Sequence, residues 1–336
     1  MRRLIETDPL LEEKIRKVIL KRKYKDFQHF AIVALENQAL AEITDENPWI
    51  TEGHQEVPSI SHWSENQLIQ INNKSNIMTL KAPDETEVVG QILWGQYYRF
   101  LPVKLATRVL ANLSDQKLPK LYDFFDACTA EALKIRPMLV KIDKKERIEQ
   151  GEKLSASFPT NEDKSMKRFA NQYLMYVRSS DGKLDGMMPC LKFANMTVED
   201  NNIRIGLTKF GLEFSRLQNP ILDNTGTQAL SQEEKEFLFN NIADNLPKEY
   251  EHMMTAISAI SSGINSRDEL NQTLSKFYSK HHNGDEWSEA VVNTMRSGLF
   301  SRMTELGVIN REKKGRNVIY DLSDEGKRYL GGLRVA

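Results

Sequence analysis

Tyr320-Asp321-Leu322-Ser323-Asp324-Glu325-Gly326-Lys327-Arg328-Tyr329 decides the reading of this chain, because it has a twin. Ile205-Gly206-Leu207-Thr208-Lys209-Phe210-Gly211-Leu212-Glu213-Phe214 repeats its pattern. Both read apolar-x-Leu-[Ser/Thr]-x-x-Gly-x-x-aromatic. Physically, a strand delivers its last apolar residue to a core. A Ser or Thr N-cap then starts a short helix whose aromatic packs back. At the same offset Leu191 matches Leu306 and Phe193 matches Val308, without a gap. A helix, a two-stranded hairpin and a closing helix are therefore expected twice.

Around the second copy, Ser288 to Leu306 reads as a long helix stopped by Gly307. Val308 to Leu322 alternates like a hairpin with its tip at Lys313 to Arg316. Gln228 to Gly263 is helical, opened by the capping box Ser231/Glu234, and Ser266/Glu269 opens Ser266 to Tyr278 in the same way. Around the first copy, Leu101 to Leu113 and Leu118 to Ile135 are amphipathic helices. Lys141 to Glu152 is charged and expected to be flexible. Lys164 to Arg178 is expected to be a third helix. Turns at Asp181-Gly182 and Asp185-Gly186 follow, then a hairpin from Leu191 to Leu207. Ahead of all this, Asp8 and Pro9 open one helix, and a basic turn from Lys21 to Lys25 leads to a second. Thr44 to Gly90 is punctuated by prolines and has little periodicity. The expected architecture is mainly α with small β-hairpins, in four parts. These are an N-terminal helical arm (1–43), an irregular connector (44–90), a first hairpin-bearing domain with an insert (91–222) and a second such domain (223–336).

At 336 residues, with 40% hydrophobic and 28% charged, the chain is long enough for more than one core and excludes global disorder. Lys and Arg number 46 against 47 Asp and Glu, which argues against a general nucleic-acid coat but leaves local charge open. Positive charge gathers at Lys21 to Lys25, along Lys164 to Arg178 and at Arg311 to Arg316. No run approaches a membrane span, and the first residues turn acidic too soon for a secretory segment. Cys128 and Cys190 sit among apolar neighbours and cannot make a disulfide framework, so a reduced, cytoplasmic protein is expected.

The element order resembles the winged-helix domain. Its second copy is similar to the MarR/PadR type in Leu299-Phe300-Ser301-Arg302-Met303-Thr304-Glu305-Leu306-Gly307-Val308-Ile309, the basic tip, and Tyr320 to Gly326. The resemblance covers roughly the last hundred residues well, and 100–220 more weakly. It implies two winged-helix domains in tandem, a recognition helix in the major groove and a wing on phosphates. On that basis Arg296 and Arg302 are candidate base or groove contacts. Arg311, Lys313, Lys314 and Arg316 are candidate phosphate contacts, preferred over a merely solvated turn. In the first copy Lys167 and Arg168 lie on a basic stripe with Lys164, Asn171, Gln172 and Arg178. Its wing tip, Glu199-Asp200-Asn201-Asn202, would repel phosphate, so packing or partner binding is as good a reading. The N-terminal segment weakly resembles a ribbon-helix-helix module, with Arg2 or Arg3 as reader and Lys23 and Lys25 as flanks. A docked helical pair or dimerisation arm is the preferred reading there.

His29, His54, His62, His252 and His281-His282 have no metal spacing, and surface or capping roles are expected for them. The DGKLDG stretch at Asp181 to Gly186 reads as turns. No P-loop, GxGxxG, HExxH or GxSxG occurs, so no cofactor and no enzyme are expected. The expected function is double-stranded DNA binding without catalysis, as a regulator or in plasmid or chromosome maintenance, with a possible homodimer through the arm. The alternative rests on a further resemblance, to tandem winged-helix adaptors of chromosome-organising or phage- and plasmid-defence ATPase complexes. It implies an ATPase complex as partner.

Overall fold

A computed structural model describes residues 77–90, 92–147, 152–178, 181–199, 202–281, 287–314 and 317–332. The expected arm, most of the connector, and Arg2, Arg3, Lys23, Lys25, His29, His54, His62, His282 and Arg316 lie outside the described residues. The chain divides into two units. Val177–Gly182 group with Met1–Gln55, and Glu56–Tyr176 with Lys183–Ala336 form the larger unit.

The larger unit is mainly helical, with two-stranded antiparallel hairpins. Its first half contains α1 (Leu101–Leu113), α2 (Leu121–Glu146), α3 (Asp163–Tyr173), α4 (Met187–Cys190), β1 (Ala194–Glu199), β2 (Asn202–Leu207) and α5 (Lys209–Arg216). The second contains α6 (Gln232–Asn245), α7 (Pro247–Ser261), α8 (Arg267–His281), α9 (Glu289–Glu305), β3 (Ile309–Lys314), β4 (Asn317–Leu322) and α10 (Asp324–Gly332). Among the described residues no helix is long and apolar enough to cross a membrane.

The duplicated motif folds the same way twice. Ala194 faces Leu207 in the β1–β2 hairpin, and Ile309 faces Leu322 in the β3–β4 hairpin, each the first pair of an identical register. The Thr208 hydroxyl accepts the Gly211 N–H and donates to the Lys192 carbonyl at 2.6 Å. Ser323 accepts the Gly326 N–H at 3.0 Å and also donates to the Gly307 carbonyl. The corresponding residues Lys192 (φ 61) and Gly307 (φ 74) are both left-handed, which turns the chain from helix into hairpin. The motif glycines are small because a carbonyl lies against them. A Cβ on Gly211 would stand 2.0 Å from the Phe193 oxygen, and one on Gly326 2.2 Å from the Val308 oxygen. The closing aromatics pack back as well: Phe214 stacks on Phe193 with ring centroids 5.0 Å apart, and Tyr329 on Phe239 at 3.6 Å.

Several expectations need correction. The helix expected from Lys164 to Arg178 ends at Tyr173, and Arg178, beyond its end, pairs with Asp181 instead of joining the stripe. What precedes the first hairpin is only the four-residue α4, whereas α9 before the second has 17 residues. Of the stretch from Lys141 to Glu152 expected to be flexible, Lys141 to Glu146 is helical, since α2 continues through Pro137 to Glu146, and residues 148–151 lie outside the described residues. The stretch from Gln228 to Gly263 is broken at Leu246-Pro247 into α6 and α7. The Ser231/Glu234 capping box stands at its start as expected. His252 is not on the surface but fully buried, with Nε2 2.7 Å from the Tyr278 hydroxyl and its ring stacked on Phe277.

The two halves share one core through buried charge. Arg302 is 1% exposed and pairs with the fully buried Glu249 at 2.7 Å. It also donates to the carbonyls of Tyr97 (2.8 Å) and Leu93 (3.3 Å). Burial pushes the Glu249 carboxyl up, but Arg302 and His252 override this and hold it below the usual glutamate range. Glu305 reaches from the end of α9 to accept the Phe100 N–H at 2.8 Å, capping α1 across the junction. Lys104 on α1 pairs with Glu234 on α6 at 2.9 Å, both fully buried. Burial lowers the Lys104 ammonium to about 8 despite that partner. The backbones also meet, because a Cβ on Gly298 would stand 2.1 Å from the Gly95 oxygen.

Candidate nucleic-acid interface

α9 is opened by Ser288, whose hydroxyl accepts the Val291 N–H, and is released by the left-handed Gly307. Val292, Met295, Leu299 and Met303 bury one face in the second half. Gly298, Arg302 and Glu305 turn another against the first half. Between these faces runs a narrow polar stripe: Thr294 and Ser297 are exposed, and Ser301 and Thr304 half-buried. Their spacing keeps them on one side of a helix.

Cations from both halves flank this stripe. Its outer part is an open groove of about 620 Å³, lined by Lys153, Arg267 and Arg296 with Gln96, Gln172 and Asn293 among its polar residues. No carboxylate side chain lines it among the described residues. Arg267 Nη2 donates to Asn293 Oδ1 at 3.0 Å, which ties the start of α8 to α9. The inner part is a pocket of about 510 Å³ that shares Arg296, Ser297 and Ser301 with the groove. There Arg99, Arg147, Lys235 and Arg311 join Arg296, against the carboxylates Glu152 and Glu305.

The expected contact residues divide sharply. Arg302 is removed from the set, because its guanidinium is enclosed by Glu249 and backbone carbonyls and offers no donor to a groove. Arg296 is 6% exposed, donates to Asn271 Oδ1 at 2.8 Å and lines both parts of the cleft, so only its edge is presented. Arg311 lines the inner pocket and pairs with Glu152 at 3.3 Å. Lys313, two residues on along the same strand, is exposed. Lys314 ends β3, and its side chain lies outside the described residues, as does Arg316. On α3, Arg168 is exposed and Lys167 half-buried, and neither lines the groove or the inner pocket. Sequence reading misses Arg99, Arg147, Lys153, Lys235 and Arg267. They come from separate segments with no common spacing, and only the packing of the halves brings them to α9.

Among the described residues no group of three or more His, Cys, Asp or Glu side chains is placed to hold a metal. Cys128 and Cys190 are buried free thiols, and burial pushes both well up, so neither is poised as a nucleophile. No family model matches the chain, and neither does any curated protein or any solved structure.

Proposed function

We propose that this is a non-enzymatic, tandem winged-helix protein that binds double-stranded DNA through its second copy. One observation carries the reading: the polar stripe of α9 lies in a groove with Lys153, Arg267 and Arg296 and no lining carboxylate among the described residues. Hydroxyls and amides along a helix suit base edges and phosphate oxygens, and the surrounding cations suit the backbone. On β3 the exposed Lys313 offers a further phosphate contact from the wing. Such binding draws most of its affinity from phosphate neutralisation and counterion release, so it falls steeply with salt.

The test is fluorescence anisotropy of a labelled duplex over a salt series. Lys153→Ala and Arg267→Ala should each weaken binding to all duplexes alike and lower the salt slope by about one. Affinity that ignores both salt and these substitutions would sink the reading.

A second reading, an adaptor subunit of an ATPase complex, draws on the first hairpin. Val198 there is 60% exposed, beside Glu199, a surface better suited to protein than to phosphate. Under that reading the protein co-purifies with a large ATPase and binds duplex poorly alone.

A further inference from the structure

The inner pocket adjoins the groove that the DNA reading uses and shares Arg296, Ser297 and Ser301 with it, but Arg99, Arg147, Lys235 and Arg311 line the pocket alone. It is walled by the end of α2 at Arg147, by Glu152 and Leu154, by Gln228 to Leu230, and by α9 with the start of β3. Its volume of about 510 Å³ is in the range of small-ligand pockets, and far too small for a duplex.

Among the described residues its lining holds more cations than carboxylates. Arg99, Arg147, Lys235, Arg296 and Arg311 line it against Glu152 and Glu305. Glu152 is engaged by Arg311. Glu305 accepts the Phe100 N–H at the N-terminus of α1; burial pushes its carboxyl up, against the opposing pull of Arg99. Arg147 directs one nitrogen to the Thr227 carbonyl at 2.5 Å and another to Asp143 at 3.6 Å. Lys235 is half-buried and reaches over Gly307, with Nζ 3.6 Å from where a Cβ there would stand. Side chains of this type, gathered from both halves and partly desolvated, favour an anion with several acceptor oxygens. Hydroxyls of Ser297 and Ser301 at the shared lip add neutral donors.

We propose that this pocket binds a small phosphorylated molecule, held at its phosphate oxygens by Lys235 and Arg311 above a guanidinium floor of Arg99, Arg147 and Arg296. The ligand class is a free phospho-compound of nucleotide size, and the site operates without DNA present.

The experiment is isothermal titration of the full chain, without DNA, using pyrophosphate and ADP as probes and adenosine as the uncharged control. Both phosphorylated probes should bind and adenosine should not. Lys235→Ala and Arg311→Gln should each weaken pyrophosphate binding at least tenfold, while Arg311→Lys restores part of it. Lys327→Ala, on α10 and outside the pocket lining, should leave it unchanged. Circular dichroism melts on every variant show that each is folded. No heat up to millimolar pyrophosphate and ADP, or binding that Lys235→Ala and Arg311→Gln leave intact, would overturn the proposal.

Discussion

The two hairpin copies share a scaffold and differ in what they offer to a partner. Both have the same strand register, the same hydroxyl cap, a left-handed residue at the same point and a glycine pressed on a carbonyl. Yet α4 is a four-residue stub before the first hairpin, whereas α9 before the second runs for 17 residues with a polar stripe. The first hairpin carries Glu199 at the end of β1, paired with Arg204 at 3.4 Å, and the second carries Arg311 and Lys313. Repetition has kept the parts that make the fold, while the cationic cleft is built around one copy. The first half contributes to that cleft by walling it from outside.

The comparison breaks most severely where the halves are joined. Arg302→Ala would strip the buried Glu249 of its guanidinium partner, leaving it facing His252 and the Leu93 N–H, at a cost of about 3–5 kcal/mol. Urea unfolding at neutral pH measures it. An effect under about 1 kcal/mol would mean that the halves do not depend on this pair.

Gly211→Ala and Gly326→Ala test whether the scaffold is equivalent in both copies. Neither glycine has positive φ, so the cost is the clash with the Phe193 or Val308 carbonyl rather than backbone strain. Each should lose about 1–3 kcal/mol, by similar amounts. Thr208→Ala and Ser323→Ala probe the caps, where about 1 kcal/mol each is expected from denaturant midpoints.

These caps and glycines are legible in the sequence because they are local. A hydroxyl, an amide three residues on and a small residue at the same place need no knowledge of the rest of the chain. α1 and α9 can be read for the same reason, from apolar spacing and from Ser288 and Gly307. Arg302 is misread when a helix is given one buried face. α9 has two, and the second is covered by residues some 200 positions earlier, a pairing that leaves no periodic trace. The cations of the cleft are hidden in the same way. Arg99, Lys153, Lys235 and Arg267 look like ordinary surface charges until the halves close around α9.

The smallest effect on stability should separate scaffold from surface most cleanly. Lys313 is an exposed strand residue. Its change to Glu should therefore shift unfolding by less than about 0.5 kcal/mol. Glu199→Lys in the first hairpin breaks a partly exposed pair and should cost no more than about 1 kcal/mol. Their effects on duplex binding should diverge. Lys313→Glu replaces a cation on the proposed contact surface with a repelling anion, weakening binding across sequences and flattening the salt slope. Glu199→Lys adds a cation where no contact is proposed, and affinity at fixed salt should stay within about twofold of the unmodified protein. If the two substitutions moved affinity equally and oppositely, the protein would be responding to net charge alone, and the assignment of the surface to the second copy would fail.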